Sequence, residues 1–246
     1  MRLKDKVAIV TGGGRGIGRV TCLVFGREGA KVVVADVDEK ATTDVAKEIT
    51  DAGGQALAVT VDISKAESVQ AMVAKAKEWG GSVDVLVNNA GITRDARLVK
   101  MTGDQWDAVI NVNLKGTWLC GQAVAPIMVE QKSGSIINVS SIVGVYGNFG
   151  QSNYAATKAG VIAMAKTWAR ELGPSGVRVN AVAPGFIATE MVTTIPEKVI
   201  EDVKAKTPLR RLGQPEDMAN IYLFLASEES SFVHGTVIQA DGGISW

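Results

Sequence analysis

The stretch TGGGRGIG, residues Thr11–Gly18, follows the apolar run KVAIV and decides how the chain is expected to fold. Glycines after a strand allow a tight turn and a close approach of the backbone to a ligand. A helix that begins at such a turn directs free N–H groups and the positive end of its dipole at an anion. The stretch therefore predicts a strand, a pyrophosphate-binding turn and a helix.

The spacing within this stretch is not a strict G-x-G-x-x-G, because Arg19 stands where the last glycine is expected. It is not a Walker loop either, because no Gly-Lys-Ser/Thr follows. Asp36, however, ends the next apolar run, KVVVAD. A carboxylate about 20 residues after the loop is where a ribose-binding acid is expected. The glycine-rich loop and Asp36 together favour a dinucleotide-binding site over a purely structural turn.

Short β-branched runs recur along the rest of the chain, separated by stretches of helical periodicity. They are KVAIV, KVVVAD, QALAVTVD, VDVLVNNAG, GSIINVSS, VRVNAVAP and GTVIQADGG. Most are apolar without alternation, which is typical of strands buried on both faces. We predict an α/β fold: one Rossmann-type domain over residues 1–246, with a doubly wound parallel sheet of about seven strands and helices on both faces. The long insertion at residues 186–213 is predicted to form a lid over the substrate.

Composition narrows the classes of partner. The 246 residues include 26 basic and 26 acidic ones, so charge gives no reason to expect nucleic acid or an anionic membrane. The N-terminal apolar run is too short for a signal peptide or a membrane span, which predicts a cytoplasmic protein. Two distant cysteines and one histidine argue against a metal site or a disulfide framework. His234 is expected to be structural.

The segment SNYAATKAG carries a phenol at Tyr154 and an ammonium at Lys158. A spacing of four places both side chains on one face of a helix. In an arbitrary protein this pattern is usually a tyrosine packed on a lysine stem. Alternatively, the positive charge lowers the pKa of the phenol, so that it exchanges protons near neutral pH. The spacing alone leaves both interpretations open.

Three motifs together resemble the short-chain dehydrogenase/reductase family over essentially the whole chain. They are T-G-x-x-x-G-x-G at Thr11–Gly18, N-N-A-G at Asn88–Gly91 and Y-x-x-x-K at Tyr154–Lys158. The resemblance implies hydride transfer from a nicotinamide to a ketone. It also implies a homotetramer, for which the apolar segments CLVF and IYLFLA would leave surface.

The resemblance implies an active site of Asn113, Ser141, Tyr154 and Lys158. Tyr154 would give a proton to the developing alkoxide and Ser141 a hydrogen bond. Lys158 would lower the pKa of the phenol and bind the nicotinamide ribose, while Asn113 would hold a water that passes protons to the lysine. Ser140 is the nearest rival for the serine role, and the offset of Ser141 to Tyr154 matches the family.

The resemblance also implies a cofactor cleft, with Asp62 beside the adenine and Pro184, Gly185 and Thr189 beside the nicotinamide. NAD(H) is the expected cofactor and NADP(H) the second option, because Asp36 would repel a 2′-phosphate whereas Arg15 would attract it. The predicted cofactor-binding residues are Thr11, Gly12, Gly14, Arg15, Gly16, Ile17, Gly18, Asp36, Val37, Val61, Asp62, Ile63, Asn89, Ala90, Gly91, Val112, Tyr154, Lys158, Pro184, Gly185, Ile187 and Thr189.

Within the family, the segments NAGITRD, APGFIATEM and PLRRLGQPEDMANIYLFLAS look most like 3-oxoacyl-acyl-carrier-protein reductases of fatty-acid synthesis. The expected substrate is then a 3-oxoacyl thioester of acyl-carrier protein or coenzyme A. Carrier docking in that group uses two basic residues; Lys132 matches the first, but Ser175 stands at the second. Small secondary alcohols, sugars or diketones remain alternative substrates, and a non-catalytic dinucleotide sensor is the non-enzymatic alternative.

Overall fold

Each of the seven apolar runs forms a strand of one parallel sheet in the computed structural model, which describes residues 1–189 and 197–244. The predicted fold class is thereby confirmed. The strands are β1 (Val7–Thr11), β2 (Lys31–Asp36), β3 (Gln55–Thr60), β4 (Val85–Asn88), β5 (Gly134–Val139), β6 (Val177–Pro184) and β7 (Val237–Ala240).

The strand order is β3-β2-β1-β4-β5-β6-β7, so the direction of winding reverses between β1 and β4. All pairings are parallel, with Ile9 of β1 opposite Val33 of β2 and Leu86 of β4. The carboxyl ends of the strands therefore meet at one edge, and the reversal opens a crevice there.

Helices cover both faces of this sheet. Those of the described chain are α1 (Gly16–Arg27), α2 (Glu39–Asp51), α3 (Ala66–Gly80), α4 (Gly103–Val109), α5 (Thr117–Gln131), α6 (Val143–Tyr146), α7 (Ser152–Leu172), α8 (Glu197–Lys206) and α9 (Pro215–Ala226). A π-helical turn, Ile110–Gly116, joins α4 to α5. Local sequence sets several starts: Asp38 caps α2, Thr102 and Gln105 form a capping box on α4, and Pro215 is the first residue of α9.

Two apolar cores lie on opposite faces of the sheet. Alternate residues of β1 divide between them, since Val7 and Ile9 face α3, α5 and α7, whereas Ala8 and Val10 face α1, α2 and α9. Each fully buried Val or Ile side chain contributes about 1.5–3 kcal/mol relative to exposure. This burial on both faces explains why the strand sequences are apolar without alternation.

The segments CLVF and IYLFLA lie in α1 and α9, which pack against each other. Cys22, Phe25, Tyr222 and Leu225 are completely buried within the chain. Leu23, Val24, Ile221 and Phe224 of the same segments are only half-buried, so the expectation that these segments leave surface for partner subunits stays a prediction. Their apolar side chains complete the core beneath β1 and β4.

The structure describes the two ends of the predicted lid, residues 186–189 and 197–213, whereas residues 190–196 lie outside the described residues. Ile187 pairs with Gly213 in an isolated bridge, which brings the two ends of the insertion together.

His234 has a structural role, because its ring lies 2.8 Å from the Ala169 carbonyl and accepts from the Val179 N–H. Among the described residues, no helix is long and apolar enough to cross a membrane.

Candidate active site

The glycine-rich loop lies at the crevice, between the end of β1 and the start of α1. Gly12 has a positive φ of 64°. A Cβ on Gly18 would lie 2.0 Å from the Gly12 carbonyl oxygen, so only glycine allows this approach of loop and helix. The start of α1 at Gly16 points its free N–H groups across the loop. The cradle fits a pyrophosphate, as the sequence predicts.

Asp36 stands at the end of β2 with its carboxylate against this loop. One oxygen accepts from the Gly14 N–H at 3.1 Å, and the other accepts from the Asp38 N–H at 3.3 Å. A carboxylate has about four acceptor positions, so it retains capacity for ligand hydroxyls. Arg15, by contrast, is hydrogen-bonded through its guanidinium to the Asp38 carboxylate.

Thr11 joins the loop to the N-N-A-G motif after β4. Its hydroxyl accepts from the N–H groups of Asn89 and Ala90, both at 3.1 Å, and donates to the Val87 carbonyl. The Asn89 amide donates in turn to the Thr11 carbonyl at 3.0 Å. Two of the three motifs are therefore one hydrogen-bonded unit across the crevice.

Asn113 lies on the π-helical turn and is completely buried. Its side-chain oxygen accepts from the Ile92 N–H at 2.8 Å and its nitrogen donates to the Ile92 carbonyl at 2.9 Å. A Cβ on Gly91 would lie 3.4 Å from the Asn113 oxygen and 3.5 Å from the Lys158 ammonium. The Y-x-x-x-K motif therefore meets the N-N-A-G motif at Gly91, and Asn113 lies beside both.

Ser140 and Ser141 have different partners, which separates the two candidates for the serine role. The Ser140 hydroxyl donates to the Lys158 carbonyl at 2.7 Å and so ties β5 to α7. The Ser141 hydroxyl accepts from the Val143 N–H at 3.1 Å and lies near enough to the Tyr154 phenol to lower its pKa. The arrangement favours Ser141, as the spacing did.

Tyr154 and Lys158 lie one turn apart on α7, with the lysine Nζ 5.5 Å from the centroid of the phenol ring. Burial raises the pKa of Tyr154 to about 12, against a smaller lowering by the hydrogen bond with Ser141. Burial also lowers the pKa of Lys158 to about 8. The expectation of a lowered phenol pKa is therefore wrong, because desolvation of the phenolate dominates. A lowering contribution from Lys158 stays a prediction.

Most of the remaining predicted residues lie at or just beyond the carboxyl end of a strand, on the edge where the crevice opens. Thr189 approaches the loop, since a Cβ on Gly16 would lie 3.4 Å from its methyl group. Asp62 follows β3 and bonds within its own turn, accepting from the Ser64 hydroxyl at 2.6 Å. Gly185 follows β6 and donates to the Ala240 carbonyl. Val61, Ile63, Pro184 and Ile187 are buried, Ile17 and Val112 are half-buried, and Val37 is exposed.

Sequence reasoning missed three side chains that organise the site. The Asn153 amide donates to the carbonyls of Arg94 and Gln105, which fixes the start of α7. Gln151 donates to Asp95 at 2.9 Å and holds together two loops beside Tyr154. Asp38 has a sequence signal as a helix cap, but its contact with Arg15, 23 residues away, has none.

A glycine-rich loop at the switch point of a doubly wound sheet, with a carboxylate ending the second strand, defines a dinucleotide-binding protein. A family model described as Enoyl-(Acyl carrier protein) reductase matches residues 12–245. The chain belongs to the short-chain dehydrogenase/reductase family. It is therefore an oxidoreductase that uses a nicotinamide dinucleotide.

Several known proteins are similar to this chain over nearly their whole length. The 3-oxoacyl-acyl-carrier-protein reductase FabG of Thermotoga maritima is 51% identical over 99% of both chains. The FabG protein of Staphylococcus aureus is 46% identical over 97% of this chain and 98% of its own. Among solved structures, levodione reductase matches with a TM-score of 0.94 and 35% identity, over 98% of both chains.

The burial of Lys158 generates a prediction on stability. In the folded protein the Lys158 ammonium loses a proton near its lowered pKa of about 8. In the unfolded chain it keeps that proton up to the ordinary pKa of 10.5. Between these values the unfolded state binds more protons, so the free energy of unfolding rises with pH. Between pH 7.5 and 9.5 we expect the parent to gain about 2 kcal/mol relative to Lys158→Met.

Urea unfolding of both proteins, at one protein concentration and without cofactor, measures this difference. The substitution keeps the apolar stem and removes the titrating group, so other groups cancel between the two curves. Parallel pH profiles of parent and variant would contradict the lowered pKa.

Proposed function

We propose that this protein reduces the ketone of a 3-oxoacyl thioester to the 3-hydroxyacyl product, with NADH as the preferred cofactor. The observation that carries the proposal is the grouping of Tyr154 with Ser141 and the buried Lys158, whose Nζ lies 5.5 Å from the centroid of the phenol ring. The named relatives, which are 3-oxoacyl-acyl-carrier-protein reductases, supply the substrate class.

The proposed catalytic residues are Asn113, Ser141, Tyr154 and Lys158. When bound, the reduced nicotinamide supplies the hydride that converts the ketone to an alkoxide. Tyr154 stays protonated at physiological pH, because burial raises its pKa to about 12, so it is ready to donate a proton to that oxygen. Ser141 orients the same oxygen. The Lys158 Nζ lies 5.5 Å from the centroid of the phenol ring, and Asn113 stands with Lys158 beside Gly91.

We infer a coenzyme A thioester as the form of substrate to test first. Lys132 follows α5 and Ser175 precedes β6, and a Cβ on the adjacent Gly176 would lie 2.5 Å from the Lys132 carbonyl oxygen. The two positions of the carrier-docking pair are therefore neighbours, but only one is basic. Both also lie where strands begin, on the edge opposite the catalytic residues of the same chain.

A small diketone is the second candidate substrate. The similarity to levodione reductase, at 35% identity, favours it, because that protein is named for a diketone. The proposed catalytic residues serve either ketone, so the choice depends on the substrate pocket. We further propose that residues 186–213 cover this pocket; unchanged proteolysis of this segment on binding of cofactor and substrate would contradict that role.

The test of the proposed reaction is the reduction of acetoacetyl-coenzyme A, followed by loss of NADH absorbance. We expect turnover by the parent and a loss of about 10²–10⁴-fold in kcat for Tyr154→Phe, because general acid catalysis has that magnitude. NADH binding should change little, since the substitution removes only a hydroxyl.

Two further substrates and one variant complete this experiment. Crotonoyl-coenzyme A tests enoyl reduction, and a cyclic diketone tests the second candidate. Efficient turnover of the diketone with none of the thioester would replace the proposed substrate. A Tyr154→Phe rate within threefold of the parent would remove the proposed role of the phenol.

The preference for NADH rests on Asp36. Its carboxylate can accept hydrogen bonds from ribose hydroxyls, and bonds to a charged group contribute about 1.5–3 kcal/mol. A 2′-phosphate about 4 Å from that carboxylate would be repelled by roughly 4 kcal/mol at an effective dielectric of 20. Arg15 opposes this effect, but an exposed ion pair contributes no more than about 1 kcal/mol.

We therefore expect kcat/KM for NADH to exceed that for NADPH by at least about tenfold. Asp36→Ala should relax or reverse the preference, because it removes the repulsion and leaves Arg15 in place. Steady-state rates with both cofactors measure the ratio. Equal or better rates with NADPH in the parent would contradict the role of Asp36.

We also propose a homotetramer, as the family resemblance implies. Large apolar side chains remain partly exposed on α4 and α5, where Trp106 is 39%, Trp118 42% and Val129 38% exposed. Covering them in an assembly would remove apolar area from water. Light scattering at micromolar concentration should give four times the mass of one chain, and a single-chain mass would contradict the proposal.

A further inference from the structure

Arg15 has a carboxylate partner within the protein. It lies in the glycine-rich loop, where the sequence suggests a ligand for a 2′-phosphate. Its guanidinium donates to the Asp38 carboxylate, and the two side chains are 65% and 35% exposed. A phosphate would therefore have to compete with a carboxylate for this cation.

Asp38 is held in place by its own contacts. Its side chain caps α2 by accepting from the Ala41 N–H at 3.0 Å, and its backbone N–H donates to Asp36. The Ala41 N–H lowers the pKa of Asp38, and the bond with Arg15 lowers it further, so the group is ionised at neutral pH. Because the cap fixes the carboxylate, Asp38 cannot follow Arg15 toward a ligand.

The other cations beside this site are paired as well. A cavity of about 470 Å³ borders the loop and α2 and includes Arg15, Arg19 and Lys40 in its lining. Arg19 is bonded to Glu48 at 2.6 Å, and Lys40 to Asp44 at 2.5 Å. Each of these three cations of the described lining thus has a carboxylate partner.

We propose that Asp38 is a specificity-determining residue, which disfavours a 2′-phosphorylated adenine dinucleotide by engaging Arg15. The inference rests on the proposed cofactor site, but it is separate from the direct repulsion by Asp36. Arg15 can bind a 2′-phosphate only after it leaves Asp38, and NADPH therefore loses affinity relative to NADH. The contact acts through Arg15, so its effect disappears when the arginine is removed.

The experiment measures dissociation constants of NADH and NADPH by fluorescence titration, without substrate. Asp38→Asn removes the charge and keeps the helix cap, because asparagine caps helices as well as aspartate does. We expect the ratio of the NADPH to the NADH dissociation constant to fall about three- to fivefold, the size of an exposed ion pair. In an Arg15→Ala background the same substitution should change the ratio less than about twofold.

Asp51→Asn is the matched control, because Asp51 lies at the other end of α2 and pairs with Lys47. It removes one charge from the same helix and should leave the ratio unchanged. An unchanged ratio in Asp38→Asn, or an equal fall with and without Arg15, would overturn the inference. A parent protein that prefers NADPH would contradict only the proposed NADH preference. The role of Asp38 is tested separately, because it depends on how each substitution changes the ratio of the two dissociation constants and not on which cofactor the parent prefers.

Discussion

The hydroxyl of Thr11 is the contact on which the arrangement of the site depends. It is completely buried at the end of β1, where the winding of the sheet reverses. By bonding two N–H groups of the N-N-A-G turn, it fixes β4 relative to the glycine-rich loop. At this switch point the chain leaves β1 and β4 toward opposite faces of the sheet, so a crevice opens between the two connections. This hydroxyl bonds the two sides of the crevice to each other.

Gly91 and Ile92 connect the N-N-A-G turn to the proposed catalytic residues. Asn113 binds both backbone groups of Ile92, and Lys158 stands beside Gly91. Lys158 in turn donates to the Val139 carbonyl at 2.7 Å, which gives the buried ammonium a partner at the end of β5. A buried charge with one hydrogen bond is costly, and the lowered pKa of Lys158 expresses that cost. Apolar burial in the two cores offsets it.

The sequence was sufficient for the features that depend on local pattern. Apolar runs predicted the strands, glycine spacing predicted the loop, and the four-residue spacing placed Tyr154 and Lys158 on one helix face. Features that depend on burial or on distant contacts were not predictable. The pKa of Tyr154 depends on desolvation by segments remote in sequence, and the Arg15–Asp38 pair joins a loop to the cap of another helix. Likewise, CLVF and IYLFLA are apolar whether a neighbouring subunit or a neighbouring helix covers them.

Recognition of the adenosine and the proposed chemistry are built on different halves of the sheet. Asp36 ends β2 and Asp38 follows it, whereas Ser141 follows β5 and Tyr154 lies in the first turn of α7. The two strands are separated by β1 and β4, whose ends carry the shared pyrophosphate cradle. A substitution that changes a charge beside β2 can affect Tyr154 only across the width of two intervening strands. Water that enters the crevice screens this effect further. Cofactor choice can therefore change without a change in the proton donor.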